Sequence, residues 1–451
     1  MDEAPPVSDD APLSPVGFAE AFRFWLKLGF ISFGGPAGQI AIMHQELVER
    51  RRWISERRFL HALNYCMVLP GPEAQQLATY IGWLMHRTWG GIVAGALFVL
   101  PSLFILIGLS WVYIAFGGTT LVSGLFYGIK PAVTAIVVQA AHRIGSRALR
   151  SKALWAVAVA SFVAIFALDV PFPAIVAIAA VIGYVGGRVA PDRFTAGGGH
   201  GTADQSFGPV VIDDETPTPA HALFTWTRFA SVCVGGLLLW LLPMGMLTAV
   251  LGWDHTLTQM GWFFTKAALL TFGGAYAVLP YVYQGAVGHH GWLTPTQMID
   301  GLALGETTPG PLIMVVAFVG FVGAYVKAVF GPDSQFLAGA FAACLVTWFT
   351  FLPSFVFIFM GGPLIETTHN DLKFTAPLTA ITAAVVGVIL NLALFFGYHV
   401  LWPKGFEGAF EWVSAIIALG AAVALFRFKA NVIHVIAGCA VVGFLVKTFV
   451  L

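Results

Sequence analysis

The chain has 451 residues, of which 58% are hydrophobic and 10% charged, and its 23 basic and 23 acidic side chains cancel. Soluble domains carry roughly 25% charged residues, so this composition and the long apolar runs predict an all-α polytopic membrane protein. No basic tract suggests nucleic acid. The four cysteines have no metal-ligand spacing and are interpreted as small core residues. We therefore expect a protein of the lipid bilayer without a metal or other cofactor.

The first part of the chain combines a tail with short, interrupted apolar stretches. Residues 1–16 are acidic and proline-rich and lack the basic region of a cleavable signal peptide, which predicts a flexible cytoplasmic tail. A first repeat is predicted over 17–189. Its apolar stretches break at Phe33-Gly34-Gly35-Pro36 and at Pro70-Gly71-Pro72.

These stretches are short for a membrane. Residues 57–69 make 13 residues, or about 20 Å of helix, against a hydrocarbon core of roughly 30 Å. We predict two short re-entrant helical hairpins with the Gly/Pro motifs near their tips; tilted, fully spanning helices are the alternative. Four conventional transmembrane helices complete the repeat, at 91–116, 121–142, 154–168 and 172–188.

The second part of the chain repeats the first. Phe272-Gly273-Gly274 and Pro309-Gly310-Pro311 each follow their counterparts by 239 residues, and Trp292 follows Trp53 by the same offset. A shared offset indicates an internal duplication. We expect a flexible cytoplasmic linker over 190–226, a connecting transmembrane helix over 227–252 and a second repeat over 253–451. The four spans of that repeat are 336–360, 375–400, 413–426 and 432–450.

Basic residues predict the orientation of the two halves. Five arginines lie between positions 50 and 58, whereas the corresponding loop of the second half, 287–293, has no lysine or arginine. By the positive-inside rule, the first half begins and ends in the cytoplasm, so the N-terminus is cytoplasmic. The single connecting helix then inverts the second half. The sequence therefore predicts two homologous halves of inverted topology, whichever geometry the hairpins have.

Inverted repeats with Gly/Pro-interrupted helices are typical of secondary transporters. We place Pro36, Pro72 and Pro311 at the first position of helices that start inside the membrane, with a glycine before each. Converging helix N-termini would form an anion site; the alternative is that these motifs only kink packed helices. The predicted substrate-binding residues are Gly34, Gly35, Pro36, Gly71, Pro72, Gln75, Lys130, Gly273, Gly274, Thr308, Gly310 and Pro311.

Ionisable residues within apolar segments are costly and are therefore functional candidates. Lys130 is the best isolated cation for an anionic substrate. Glu73 and Glu306 flank the two Pro-Gly-Pro motifs and are the candidates for proton coupling, because a carboxylate beside an anion repels it unless protonated. The alternative for each is a helix-start charge in a favourable dipole. No catalytic triad or nucleotide loop is present, so we do not expect an enzyme.

Several of these motifs together resemble the chromate ion transporter family, in its long-chain form with two homologous domains. In the first half they are Phe33-Gly34-Gly35-Pro36, His44-Gln45-Glu46, Pro70-Gly71-Pro72-Glu73 and Gly128-Ile129-Lys130-Pro131. In the second half, Phe272-Gly273-Gly274 and Thr308-Pro309-Gly310-Pro311 match the family. The resemblance implies a bacterial inner-membrane protein that exports chromate, driven by the proton motive force, and confers chromate resistance.

The expected partners are chromate, protons and the lipid bilayer, with sulfate as a second anion of similar shape. A homodimer is compatible with the sequence. Two other functions stay open at this point: a sulfate or general oxyanion permease, and an uncoupled anion channel that uses the same helix N-termini as a filter.

Overall fold

The computed structural model of the protein describes residues 15–33, 35–194, 208–214, 216–367 and 375–449. Over these ranges the chain forms seventeen α-helices and no β-strand, which confirms the expected all-helical class. Most of the predicted tail, and Gly34 of the first motif, lie outside the described residues.

The described part of the first half contains seven helices, and an eighth lies at the start of the linker. Three short helices and a π-helical turn precede the long helices, and the Gly/Pro motifs lie between these elements. The bounds are α1 Phe18–Ile31, α2 Gly35–His44 followed by the π turn Gln45–Arg50, α3 Glu56–Val68, α4 Glu73–Phe116, α5 Thr120–Ala148, α6 Lys152–Leu168, α7 Phe172–Val189 and α8 Pro191–Phe194.

The second half follows the connecting helix α9 and repeats the same order. The bounds are α9 Trp226–Leu251, α10 Thr256–Leu269, α11 Ala275–Tyr283 followed by the π turn Gln284–His289, α12 Pro295–Thr307, the 3₁₀ turn Leu312–Met314, α13 Val315–Val326, the 3₁₀ turn Pro332–Ser334, α14 Gln335–Thr367, α15 Thr375–Leu401, α16 Trp412–Phe426 and α17 Val432–Phe449.

Local signals in the sequence start the short helices. The Ser55 hydroxyl accepts a hydrogen bond from the Arg58 amide at 3.2 Å and caps α3. In α12 the corresponding residue is Thr294, which forms a capping box with Gln297. Such caps satisfy amide groups that a helix start leaves unpaired. The starts of these helices are therefore encoded within a few residues of each.

The helix α4 is two helices in one run. Its 44 residues would extend about 66 Å, roughly twice the hydrocarbon core. The backbone leaves helical geometry at His86 and at Arg87, where φ is +58°. The break divides α4 into a short N-terminal helix and a longer helix that contains the predicted span 91–116.

Among the described residues, seven helices are long and apolar enough to cross a membrane. Two of the expected spans are not among these seven: α6 has 17 residues and α16 has 15, or about 26 and 23 Å, against a hydrocarbon core of roughly 30 Å. The seven candidate spans are Glu73–Phe116, Thr120–Ala148, Phe172–Val189, Trp226–Leu251, Pro332–Glu366, Ala376–Leu401 and Val432–Phe449.

The local conformation of the first half recurs in the second at the offset of 239 residues. The π turns Gln45–Arg50 and Gln284–His289 are separated by this offset at both ends. Just after them, Arg52 and Gly291 have nearly equal positive φ values of 54° and 56°. The duplicated sequence therefore also has a duplicated backbone in this region.

The two halves pack into each other rather than side by side. Helix α5 of the first half contacts α15, α16 and α17 of the second, and α6 and α7 also pack on α15. Helix α4 packs on α14 in the same way. The short helices with the Gly/Pro motifs lie where the halves meet, which positions both sets of motifs at one interface.

The described part of the linker is docked, although we expected a flexible segment over 190–226. The amide of Ile212 donates to the Trp53 carbonyl at 3.1 Å, and the amide of Ser55 donates to the Ile212 carbonyl at 3.0 Å. The Ser55 hydroxyl donates to Asp214 at 2.6 Å. Since the Ile212 side chain is also buried, this part of the linker is held against the arginine-rich loop.

Candidate functional site

We call the Gly/Pro motifs of the two halves, together with the residue directly before each motif, the tips. The tips of the two halves are joined by a reciprocal pair of backbone hydrogen bonds. The amide of Gly71 donates to the Thr271 carbonyl at 2.7 Å, and the amide of Gly310 donates to the Ser32 carbonyl at 2.8 Å. The two donors, Gly71 and Gly310, are 239 residues apart, and so are the two acceptors, Ser32 and Thr271. The two bonds therefore interchange when the halves interchange, as contacts do in a two-fold symmetric interface.

Both bonds depend on glycine. Gly71 and Gly310 have φ values of 132° and 101°, which L side chains rarely adopt. A Cβ on Gly71 would lie 2.3 Å from the Ser354 hydroxyl, and a Cβ on Gly310 would lie 2.9 Å from the Cβ of Ser102. The chain crossings at the tips are therefore too close for any other residue.

Glutamine side chains satisfy carbonyl groups at the tips. The Gln39 amide donates to the Gly310 carbonyl at 2.6 Å, and Gln39 is buried. The Gln76 amide donates to the Pro70 carbonyl at 2.8 Å. Unpaired backbone groups are costly away from water, so these side chains stabilise irregular backbone in the interior. Sequence reasoning missed Gln39, although a lone glutamine in the apolar turn after a glycine-proline break is a usable signal.

Two predicted binding residues contact their own helices instead. Gln75 is fully buried and its amide donates to the Thr79 hydroxyl at 3.0 Å. The Thr308 hydroxyl donates to the Leu304 carbonyl at 2.5 Å. Neither lines the cavity described below.

A cavity of about 910 Å³ lies beside the tips, between the halves. Among the predicted residues, Pro36, Glu73, Gly273 and Gly274 line it, and Tyr276 adds its phenol ring. The first residues of α2, α4 and α11 therefore face one space. Helix N-termini carry positive partial charge, so this arrangement favours an anion.

The prolines differ slightly from their predicted positions. Pro36 is the second residue of α2, which begins at Gly35 with φ of 69°. Pro72 precedes α4 and Pro311 precedes the turn Leu312–Met314, so both hold the cap position rather than the first helical one. Because the backbone of these two prolines is extended, the helix or 3₁₀ turn after each one starts one residue later than we predicted. Pro311 does not line the cavity.

Three arginines form one wall of the cavity. Arg143, Arg147 and Arg150 lie at the C-terminal end of α5, where a cation is favoured by the helix dipole. Arg147 and Arg150 are exposed and Arg143 is half-buried, so the cavity reaches the protein surface at this wall. Sequence reasoning missed these three arginines as part of the site. Arg143 and Arg147 are four residues apart, which places them on one face of α5, and Arg150 follows two residues after the helix ends.

The cavity lining also includes acidic groups. His44 and Glu49 line the cavity, and the Nδ1 of His44 lies 3.1 Å from the Glu49 carboxylate. The Nε2 of His44 contacts Glu56. The lining is therefore polar with charges of both signs, and the arginines come from the end of α5 and the residues just after it.

The two predicted coupling carboxylates occupy different positions. Glu73 is the first residue of α4 and faces the cavity directly. Glu306 is buried and accepts a hydrogen bond from the Tyr276 hydroxyl, so one side chain separates it from the cavity. Arg143 lies within electrostatic reach of Glu306. Glu306 is in the last turn of α12, where the dipole disfavours a negative charge, so the alternative of a favourable helix-start charge is wrong for it.

Lys130 is not the isolated cation that we expected. Its Nζ lies 3.4 Å from the Oδ1 of Asp300, and it does not line the cavity. The Tyr113 hydroxyl donates to the other carboxylate oxygen of Asp300 at 2.8 Å. Sequence reasoning missed Asp300, which is 2% exposed on the short helix α12. The cost of an ionisable residue in an apolar segment, applied to α12, would have found it.

Comparisons with known proteins find one family along most of the chain. The sequence profile of the chromate transporter family matches residues 19–184 and again 258–444. The chain is 33% identical over 390 residues to a chromate transport protein of Pseudomonas aeruginosa, covering 86% of this chain and 83% of that one. It is 28% identical over 422 residues to a chromate transport protein of Cupriavidus metallidurans, with 93% and 91% covered. A probable chromate transport protein of Synechococcus elongatus is 29% identical over 378 residues, with 83% of each covered. No solved structure matches the chain.

Proposed function

Because this chain belongs to the chromate transporter family, we propose that it is a secondary active transporter and not an enzyme. It exports chromate across the bacterial inner membrane, is driven by the proton motive force and gives chromate resistance. The relatives named as chromate transport proteins support the substrate. The observation that carries the proposal is the cavity between the halves, with three helix N-termini and three arginines around it.

The chemistry of the cavity suits a tetrahedral dianion. Helix N-termini present backbone N–H groups, and arginine forms short charge-assisted hydrogen bonds to oxyanions. The volume of about 910 Å³ is far larger than one such ion. The arginine wall therefore acts as an entry region that collects a hydrated anion, and the helix N-termini near Gly273 bind it after part of its water is lost.

The architecture suits alternating access. We propose that residues 17–189 and 253–451 are repeats of opposite orientation, joined by the linker and the connecting helix. The reciprocal hydrogen bonds between the tips and the asymmetry of basic residues support this inversion. Helices α1 and α3, with 14 and 13 residues, reach about 21 and 20 Å and support re-entrant hairpins whose tips meet inside the membrane.

The orientation also suits export. With the N-terminus in the cytoplasm, the end of α5 that carries Arg143, Arg147 and Arg150 faces the cytoplasm. The cavity then opens toward the compartment from which chromate is removed. Glu73 is the proton-carrying group nearest the anion in this proposal, because its carboxylate opposes a dianion unless it is protonated.

The test uses inside-out membrane vesicles from cells that produce the protein, with labelled chromate outside. An acidic lumen should drive chromate accumulation above its external concentration, and a protonophore should abolish that accumulation. Glu73→Gln should lose the response to the pH gradient, whereas Glu407→Gln, at an exposed loop position, should keep it.

Two outcomes would replace the proposal. Chromate entry that never exceeds the external concentration would identify an uncoupled anion channel. Accumulation of sulfate in place of chromate, with chromate only as a weak competitor, would identify a sulfate or general oxyanion permease. The second candidate has a specific basis, since guanidinium and backbone N–H donors recognise charge and shape rather than the central atom.

A further inference from the structure

The ion pair of Lys130 and Asp300 lies outside the cavity and has no role in the transport path described above. It connects the halves: Lys130 belongs to α5, Asp300 to α12, and Tyr113, which donates to Asp300, to the end of α4. Asp300 is 2% exposed, whereas the Lys130 side chain is 27% exposed. The carboxylate is therefore sealed inside the protein, while part of the Lys130 side chain is exposed.

The ion pair lies at a distance from the arginine wall along α5. Lys130 precedes Arg143 by 13 residues on the same helix, or about 20 Å along its axis. Asp300 precedes Glu306 by six residues on α12, the helix that ends just before the Gly310 tip. A movement of α12 therefore reaches the tip contact and the ion pair together.

Few ionisable groups act on Asp300. The helices packed on α12 include α4, α5, α13, α15 and α17. Within the described part of the chain, only Lys130 of α5 and Tyr113 of α4 interact electrostatically with the Asp300 carboxylate. The state of Asp300 is therefore controlled by one cation and one hydroxyl group.

The contact is loose for a buried pair. At 3.4 Å it is longer than the about 2.7–2.9 Å of a charge-assisted hydrogen bond. Removal of Lys130 from Asp300 would leave a buried carboxylate without a counter-ion, and such a group binds a proton instead. The pair also lacks a copy in the other half, since the residue 239 positions before Asp300 is His61. An ion pair that served only to hold the duplicated halves together would not require this asymmetry between the halves.

We infer that Asp300 is a further transport residue, which exchanges a proton when the anion replaces it at Lys130. In the conformation described here, Asp300 neutralises Lys130 and the cavity is open at the arginines. When the halves rearrange and the dianion reaches Lys130, the Asp300 carboxylate is released and one of its oxygens binds one proton from the outer side. After the anion has left to the outer side, the halves return, the ion pair forms again and the proton leaves to the cytoplasmic side; no other bond changes. The inference rests on the proposed proton-coupled export.

The experiment separates coupling from structure by measuring two activities in the same vesicles. One is chromate accumulation driven by an acidic lumen, and the other is exchange of labelled for unlabelled chromate at equal pH, which requires no net proton movement. Asp300→Asn keeps the size of the side chain and should retain exchange while losing all stimulation by the pH gradient. Asp333→Asn, at an exposed turn, is the matched control and should retain both activities.

Each other outcome decides the question. Stimulation of Asp300→Asn equal to that of the wild type would overturn the inference and leave proton-coupled export intact. A wild-type protein that exchanges chromate without any response to the gradient would overturn the proposed coupling as well. If Asp300→Asn loses exchange, Asp300→Glu, which keeps a carboxylate for Lys130, is measured. Exchange with stimulation by the gradient in that variant supports the inference, and loss of both activities there too would overturn it and show a structural pair.

Discussion

Replacement of Gly71 by alanine tests the contact between the tips most directly. Its φ of 132° is costly for a residue with a Cβ, by about 1–3 kcal/mol. The new Cβ would also lie 2.3 Å from the Ser354 hydroxyl and 2.6 Å from the Gln76 amide nitrogen. Forcing these groups apart adds about 1–3 kcal/mol for overpacking. We therefore expect Gly71→Ala to lower the free energy of unfolding by about 2–6 kcal/mol.

Alanine variants of two other glycines separate the backbone cost from the cost of overpacking. Gly35 has a positive φ of 69°, but an added Cβ there would have no atom within 4 Å, so Gly35→Ala carries only the backbone cost. Gly235 lies in α9 with neither a positive φ nor a close neighbour. Gly235→Ala should be neutral or stabilising by about 0.5–1 kcal/mol, since alanine is the better helix former.

The assay is thermal unfolding of the purified variants in one detergent, followed by loss of the monodisperse elution peak. The expected order of stability is Gly235→Ala, then Gly35→Ala, then Gly71→Ala. Equal midpoints for Gly71→Ala and Gly35→Ala would refute the close approach at Ser354. A Gly71→Ala variant as stable as Gly235→Ala would refute the tip geometry altogether.

Three further predictions concern the surface of the protein. Arg147→Gln removes a positive charge from the cavity mouth and should slow chromate entry most at low ionic strength, which is checked by initial rates at two salt concentrations. Ile212→Asp places a charge in the buried contact of the linker with Ser55 and should expose the linker to a protease added to the detergent-purified protein. Asp214→Asn keeps the apolar contact and should not. Burial lowers the pKa of His290 from 6.5 to about 4, so the unfolded chain binds a proton at a higher pH than the folded protein does. The protein should therefore lose stability as the pH falls from 6.5 toward 4. In His290→Gln the unfolding midpoint should depend less on pH over this range.

The sequence showed much of the site as separate motifs but not how these motifs are arranged in space. Pro36, Glu73, Gly273 and Gly274 were predicted from glycine-proline breaks and a charge beside them, and the structure places all four on one cavity. Lys130 was predicted in the same way, yet it pairs with Asp300, about 20 Å along α5 from Arg143. A motif shows that a residue is unusual for its surroundings, and it contains no information about which distant residue will become its partner.

The sequence by itself determined the helices and their repetition. Apolar runs, caps such as Ser55 and Thr294, and breaks at glycine and proline act within a few residues, so they set the bounds of each helix and the offset of 239. Only the tertiary structure decided that Gly71 meets Thr271, that α5 contributes the arginine wall, and that the linker docks through Ile212. These contacts join residues far apart in the chain, and they depend on the packing of whole helices, for which no local pattern exists.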